Sequence, residues 1–274
     1  GDAQAELDGD PSNLEFGEHL LQLQLMYRYR WPGRFDRSEA FKASITTLQS
    51  AGRGAMGEAK FWELLGQIRL LDIWGTQPPS GKSRALVLID ADKELADLDS
   101  RALPIGRAQL YKGLVFQEQG KSEAALDLFN RSLARNGRDD MVLYVKGLLL
   151  HRLDRLDEAQ KTVDLLLNLS TRHHDGRLLA ARIALARKTP EALRLARGFV
   201  EQSQEGAKAD GDTYGEYEAN LMRAVVYGRQ EDAAKQIEAL EQAAKFNPRD
   251  EQICFDSTWN ALCKGRGIRK EHGK

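Results

Sequence analysis

Cysteine is scarce, at two in 274 residues, Cys254 and Cys263, so no disulfide framework can stand in for a hydrophobic core. A continuous helix through both would separate them by a rise of roughly 13 Å, beyond the roughly 7 Å Cα limit for a bridge. A broken helix would let them pair, so free thiols and a small terminal disulfide both stay open. Long apolar runs are missing too, which excludes a membrane-spanning helix within this sequence, and no signal peptide is visible. The chain begins with Gly, which suggests a trimmed product from which a signal or anchor could have been removed, and this leaves both cytoplasm and, if one was trimmed, periplasm open. Excess charge is also missing: 40 Lys and Arg against 41 Asp and Glu give a net charge of −1. That supplies no whole-chain reason to expect nucleic acid or an anionic membrane.

Charge is uneven only at the ends. Residues 1–18 carry six acids (Asp2, Glu6, Asp8, Asp10, Glu15, Glu18) and no Lys or Arg, whereas 264–274 carry five basic side chains against Glu271. Charge runs without apolar periodicity are solvated tails, so 1–13 and 264–274 are assigned as tails. The remainder, 14–263, is read as a single folded array, and 42% hydrophobic content is enough for a large core.

Catalytic signatures are equally sparse. No G-x-S-x-G or H-E-x-x-H occurs, and neither Cys has a neighbouring His to lower its pKa. Gly52, Gly54 and Gly57 spell G-x-G-x-x-G, but FKASITTLQSA before them is no apolar strand. Asp90 also follows the last Gly by 90 − 57 = 33 residues, where a dinucleotide fold needs about 20. Gly75 to Ser83 resembles a phosphate-binding loop, with one residue too many and two prolines that remove needed N–H donors. His173, His174 and Asp175 cluster, without further ligands at metal spacing, and are expected on an exposed loop. No catalysis, cofactor or metal is expected. YRYRWPGRFDR interleaves Tyr27, Tyr29, Trp31 and Phe35 with Arg28, Arg30, Arg34 and Arg37. It is the one hint of base stacking or membrane-surface contact, and a helix end with packed aromatics and solvated arginines is the alternative.

What the sequence does have is repetition. Gly113 and Gly147 lie 147 − 113 = 34 residues apart, and Ala125 and Ala159 keep that offset. A period of 34 is a helix–turn–helix unit that must stack on a copy of itself to bury its apolar face. Apolar spacing predicts helices at 14–31, from Asp36 to about 49, and at 58–74, with a stripe of Phe61, Leu64, Leu65, Ile68 and Leu71. The segment 84–99 is read as a helix over a strand, on its Ala, Leu, Lys and Glu content. Then come 106–119 with 122–135, 139–153 with 155–169, and 174–187 with 190–203, the last opened by Thr189-Pro190-Glu191 as N-cap, first turn and dipole partner. The polar stretch 203–212 is expected to be a flexible joint. A hairpin of 213–228 and 231–246 follows, and a helix from Pro248 to Cys263 closes the array.

These small and large residues in register resemble the tetratricopeptide repeat family. With Gly113 at unit position 8, Phe116, Gly120, Ala125 and Phe129 take positions 11, 15, 20 and 24. Gly147, Leu150, Ala159 and Val163 repeat 8, 11, 20 and 24, with Asp154 in place of the Gly. Ala181 and Ala184 fit 8 and 11, with the Pro190 turn a residue short. Ala224, Gly228, Ala233 and Ile237 fit 11, 15, 20 and 24, with Pro248 about three residues late. Trp62, Leu65 and Gly66 fit 4, 7 and 8, with Ala85 and Ile89 at 20 and 24 beyond a loop insertion. Ala40 is a weak position 20.

The resemblance implies an all-α right-handed solenoid of about six hairpins with a C-terminal capping helix. It also implies an interaction scaffold or adaptor that binds a peptide or helix of a protein partner. Positions 5, 9 and 12 of each unit line the concave face in that family. Here they give Leu110, Leu114 and Gln117, then Tyr144, Leu148 and His151, then Leu178, Arg182 and Leu185, with Arg152 beside them. Contact of these residues with the protein's own helices is the alternative, notably for Leu110 and Leu178. The Lys and Asn pattern of carboxylate-clamping members is absent. A periplasmic or envelope repeat protein serving a secretion or export complex is the second functional expectation.

Overall fold

The computed structural model describes residues 58–74, 83–96 and 108–246, and the ten elements among them are all α-helices. They are α1 (Glu58–Trp74), α2 (Arg84–Glu94), α3 (Ala108–Glu118), α4 (Ser122–Arg135) and α5 (Asp140–Arg152). They continue as α6 (Leu156–Leu169), α7 (His174–Ala186), α8 (Pro190–Asp210), α9 (Thr213–Arg229) and α10 (Ala233–Phe246). The segment read as a helix over a strand is helical over Arg84–Glu94, and Ser83 caps it by accepting the Leu86 N–H. The chain divides into two compact units, 1–142 and 143–274, with the division inside α5. The first expected hairpin, the glycines at 52–57, most of the 75–83 loop, the Tyr27 to Arg37 patch, Cys254 and Cys263 lie outside the described residues.

In the first unit α3 packs on both α1 and α4. Close approach explains the small residues: a Cβ on Gly66 would run into Tyr111, and one on Gly113 would stand 2.5 Å from the fully buried Phe129 ring. Gln67 donates to the Tyr111 hydroxyl at 3.0 Å inside this layer. The helix α2 leans on α1 and α3 through the Arg69–Glu94 and Arg84–Glu118 ion pairs, with Lys121–Asp92 beside them.

In the second unit α7, α8 and α9 pack in sequence, and α10 covers α9. Leu178, Ala181, Ala184, Ala192, Ala196, Val200, Ala219 and Val226 form their core. The repeat is visible in the backbone. Helices α4, α6 and α8 start at Ser122, Leu156 and Pro190, 34 residues apart, and the turns before them hold left-handed residues at Gly120, Asp154 and Lys188 on the same spacing. At Gly120 and Asp154 the N–H groups of the turn residue and its successor return to Gln117 and Phe116, and to His151 and Leu150. This satisfies the last carbonyls of the helix. The turn before Pro190 is therefore in full register and not a residue short.

Two further expectations are corrected. The stretch 203–212 is not a flexible joint, because α8 runs unbroken to Asp210 and ends on the left-handed Gly211. Its polar sequence hides a buried stripe of Val200, Ser203 and Ala207, in which the Ser203 hydroxyl donates to the His174 carbonyl at 3.2 Å. The cluster His173, His174 and Asp175 is not an exposed loop but the partly buried start of α7. His173 Nδ1 accepts the Gly176 N–H as an N-cap, and His174 Nε2 lies 3.2 Å from Asp210. Among the described residues no group of three or more His, Cys, Asp or Glu is placed to hold a metal ion.

Candidate partner-binding face

The residues at positions 5, 9 and 12 separate into packed and accessible ones. In the first unit Leu110 and Leu114 are buried and Gln117 is half-buried. In the second, Tyr144 is buried, its ring centroid 5.7 Å from that of His173, and Leu178 is buried in the α7–α9 core. The packing alternative thus describes the position of Leu110 and Leu178.

Leu148, His151, Arg182 and Leu185 are half-buried, and Arg152 is exposed. Helices α5 and α7 bring His151 next to Arg182, although the two lie 31 residues apart. Burial pushes the His151 imidazole below its ordinary pKa, and the Arg182 guanidinium adds to that shift. A hydrogen bond to the Arg182 main chain works in the opposite direction. Arg182 also reaches Glu218 of α9 at 3.8 Å, a long contact that leaves the guanidinium partly free to meet another acceptor. The result is an apolar step with a neutral imidazole and a guanidinium on it, able to bind acceptors and apolar side chains. No nucleophile is paired with a base here.

A feature without a signal in the periodicity lies just past Arg182, at the C-terminal end of α7, and shares Leu185 with this face. A pocket of about 280 Å³ is floored by Ala184, Leu185, Pro190 and Leu193 and flanked by Lys188, Thr189 and Arg229. Lys188 and Arg229 are 41 residues apart in sequence, and only the packing of α9 against the α7–α8 hairpin makes them neighbours.

Comparison with known proteins bears on these positions. The family model described as tetratricopeptide repeat matches residues 217–250, and no curated protein matches the chain. Three solved structures are similar. A thermophilic TPR protein of Thermus thermophilus is 21% identical, with 59% of this chain and 83% of that one covered, at a TM-score of 0.49. The C-terminal part of a TPR repeat-containing protein from Cytophaga hutchinsonii is 16% identical, with 92% and 91% covered, at 0.47. YrrB, a TPR protein with an unusual peptide-binding site, is 19% identical, with 83% and 98% covered, at 0.45.

The matched unit starts at 217, so its position 15 is Glu231, the residue that the backbone places in the left-handed region at φ 58°. The sequence frame that put Gly228 at this turn was three residues early, since Gly228 lies inside α9. The shift also brings Pro248 to position 32 and makes Leu221, Val225 and Gly228 positions 5, 9 and 12. Val225 is 46% exposed, consistent with a face position. Two consecutive 34-residue steps in the hairpin turns agree with the matched 34-residue unit, so the described hairpins step at the period of the tetratricopeptide repeat whose model residues 217–250 match.

Proposed function

We propose that this chain is a protein-interaction scaffold or adaptor that docks a peptide or helix of a partner on the first helices of its hairpins. The family supports an interaction role in general, and the placement of His151 beside Arg182 carries the finer reading. Leu148, His151, Arg152 and Arg182 make the contact in the second unit, with Tyr144 as a packed support; in the first unit, taken by itself, Gln117 is the accessible face position and Leu110 and Leu114 are packed. An apolar face with a few fixed donors suits an amphipathic helix or extended strand, which supplies both apolar side chains and carbonyl acceptors. No catalytic role is proposed.

The test is affinity capture with the wild type against a His151→Ala, Arg182→Ala variant, with bound proteins quantified by mass spectrometry. A partner enriched on the wild type should be depleted on the variant at least about tenfold, the scale of two lost hydrogen-bonding contacts. Equal recovery would move the partner off this face.

A further inference from the structure

We infer that the pocket between the α7–α8 turn and the end of α9 is a docking point for an acidic peptide segment that presents one aliphatic or aromatic side chain. The inference rests on the scaffold reading of the chain but uses neither His151 nor Arg182.

Size comes first. At about 280 Å³ the pocket falls just below the range of roughly 300–1,000 Å³ typical of small-molecule sites, and it suits a single large side chain. Its floor is apolar and continuous with the core: Leu185 and Leu193 are half-buried and pack against the cluster built on Leu178, Ala181, Ala192 and Ala196. A side chain seated there would finish burying two leucines that the fold leaves half in water.

Charge selects the sequence around that side chain. Two neighbouring arginines are taken, Arg187 by Asp157 at 2.7 Å and Arg194 by Glu191 at 3.3 Å. The Thr189 hydroxyl is taken as well, accepting the Ala192 N–H at 3.1 Å. Lys188 and Arg229, the two cations on the pocket, make no ion pair among the described residues. Two positive charges over an apolar floor complement carboxylates flanking an apolar side chain, and they disfavour a basic or neutral segment. Lys188 is further held at φ 56°, a turn position that Gly occupies 68 residues earlier at Gly120. The charge is thus carried by a residue that the backbone does not favour.

The test uses an array of amidated hexapeptides of Asp and Glu around one Leu, Ile, Phe or Trp, with matched Asn and Gln peptides, read by fluorescence anisotropy. Acidic members should bind and their amide counterparts should not. Lys188→Gly and Arg229→Gln should each weaken binding by about fivefold, the scale of one partly exposed charge pair. Lys188→Gly suits the turn, so loss of binding in that variant is not loss of fold, and a thermal melt at or above wild type verifies this. The His151→Ala, Arg182→Ala variant should bind the array peptides as the wild type does, which separates this pocket from the face proposed above. Absence of binding, equal binding of amide peptides, or wild-type affinity in both charge variants would overturn the inference and leave the other face untouched. Displacement by octanoate at equal concentration would overturn it in favour of a small amphiphile.

Discussion

The glycines at unit position 8 differ in what stands opposite them, and this makes a graded prediction. At Gly113 a Cβ would meet the Phe129 ring at 2.5 and 2.9 Å, whereas at Gly147 it would meet only the methyl tips of Leu179 and Val163 at 3.0 and 3.3 Å. A buried ring has nowhere to move, and overpacking costs about 1–3 kcal/mol. A methyl tip can shift by a few tenths of an ångström, and Gly→Ala inside a helix returns roughly 1 kcal/mol. Gly113→Ala should therefore lower stability by about 1–3 kcal/mol, while Gly147→Ala stays within about 1 kcal/mol of wild type. Urea denaturation of both variants checks the order, and equal midpoints would refute the packing account. The turn residues run the other way. Lys188, Asp154 and Glu231 hold φ values of 56–58°, which cost L side chains roughly 1–2 kcal/mol. Lys188→Gly should raise stability by up to about 1 kcal/mol after the added entropy of the unfolded chain is subtracted.

Helix length is the distinguishing feature at the level of elements. Helices α4, α6 and α10 each have 14 residues, but α8 has 21, and α9 has 17 where α5 and α7 have 13. The two-residue link between α8 and α9 replaces the four residues between α6 and α7. The excess, 7 + 4 − 2 = 9 residues, equals the difference between the 43-residue step from Lys188 to Glu231 and the regular 34. The extra turns of α8 pack against the starts of α7 and α9. Arg177 of α7 donates to the Gln202 carbonyl at 3.0 Å, and Gln204 donates to Asn220 of α9 at 3.2 Å. Amides of 204–210 should accordingly be protected from hydrogen exchange like the rest of α8, since a flexible linker would exchange at unprotected rates. An Ala207→Pro substitution should cost about 3 kcal/mol or more and reduce helical ellipticity.

Across the whole molecule, stability should depend on pH through His151. Its folded-state pKa is lowered below the ordinary 6.5, burial first and Arg182 second. The unfolded chain therefore takes up the proton before the folded one as pH falls. The contribution is fully present above about pH 6.5 and is lost as pH drops through that value towards the folded pKa. Arg152 and Arg182 oppose protonation, and Asp154 and the Arg182 main chain favour it. The melting temperature of the wild type should fall more between about pH 7.5 and 5.5 than that of His151→Gln; parallel curves for the two proteins would count against the buried, arginine-flanked imidazole.

The helix pairs and the 34-residue step were legible in the residue pattern, because small residues at Gly113, Gly147 and Ala125 and caps such as Thr189-Pro190 act through local geometry and nearest-neighbour packing. The same pattern misplaced the last unit by three residues, since Gly228 has the composition of a turn while Glu231 adopts its conformation. It also mistook the polar end of α8 for a linker, because a single buried stripe of Val200, Ser203 and Ala207 carries too little hydrophobicity to show in periodicity. Which face residues are accessible emerged only from packing: Tyr144 and His151 share a helix face in the pattern, yet one is packed against His173 and the other opens beside Arg182. The pocket of Lys188 and Arg229 had no trace in the sequence, because its two cations approach only when α9 packs on the α7–α8 hairpin, and such contacts depend on how helices cross rather than on what they contain.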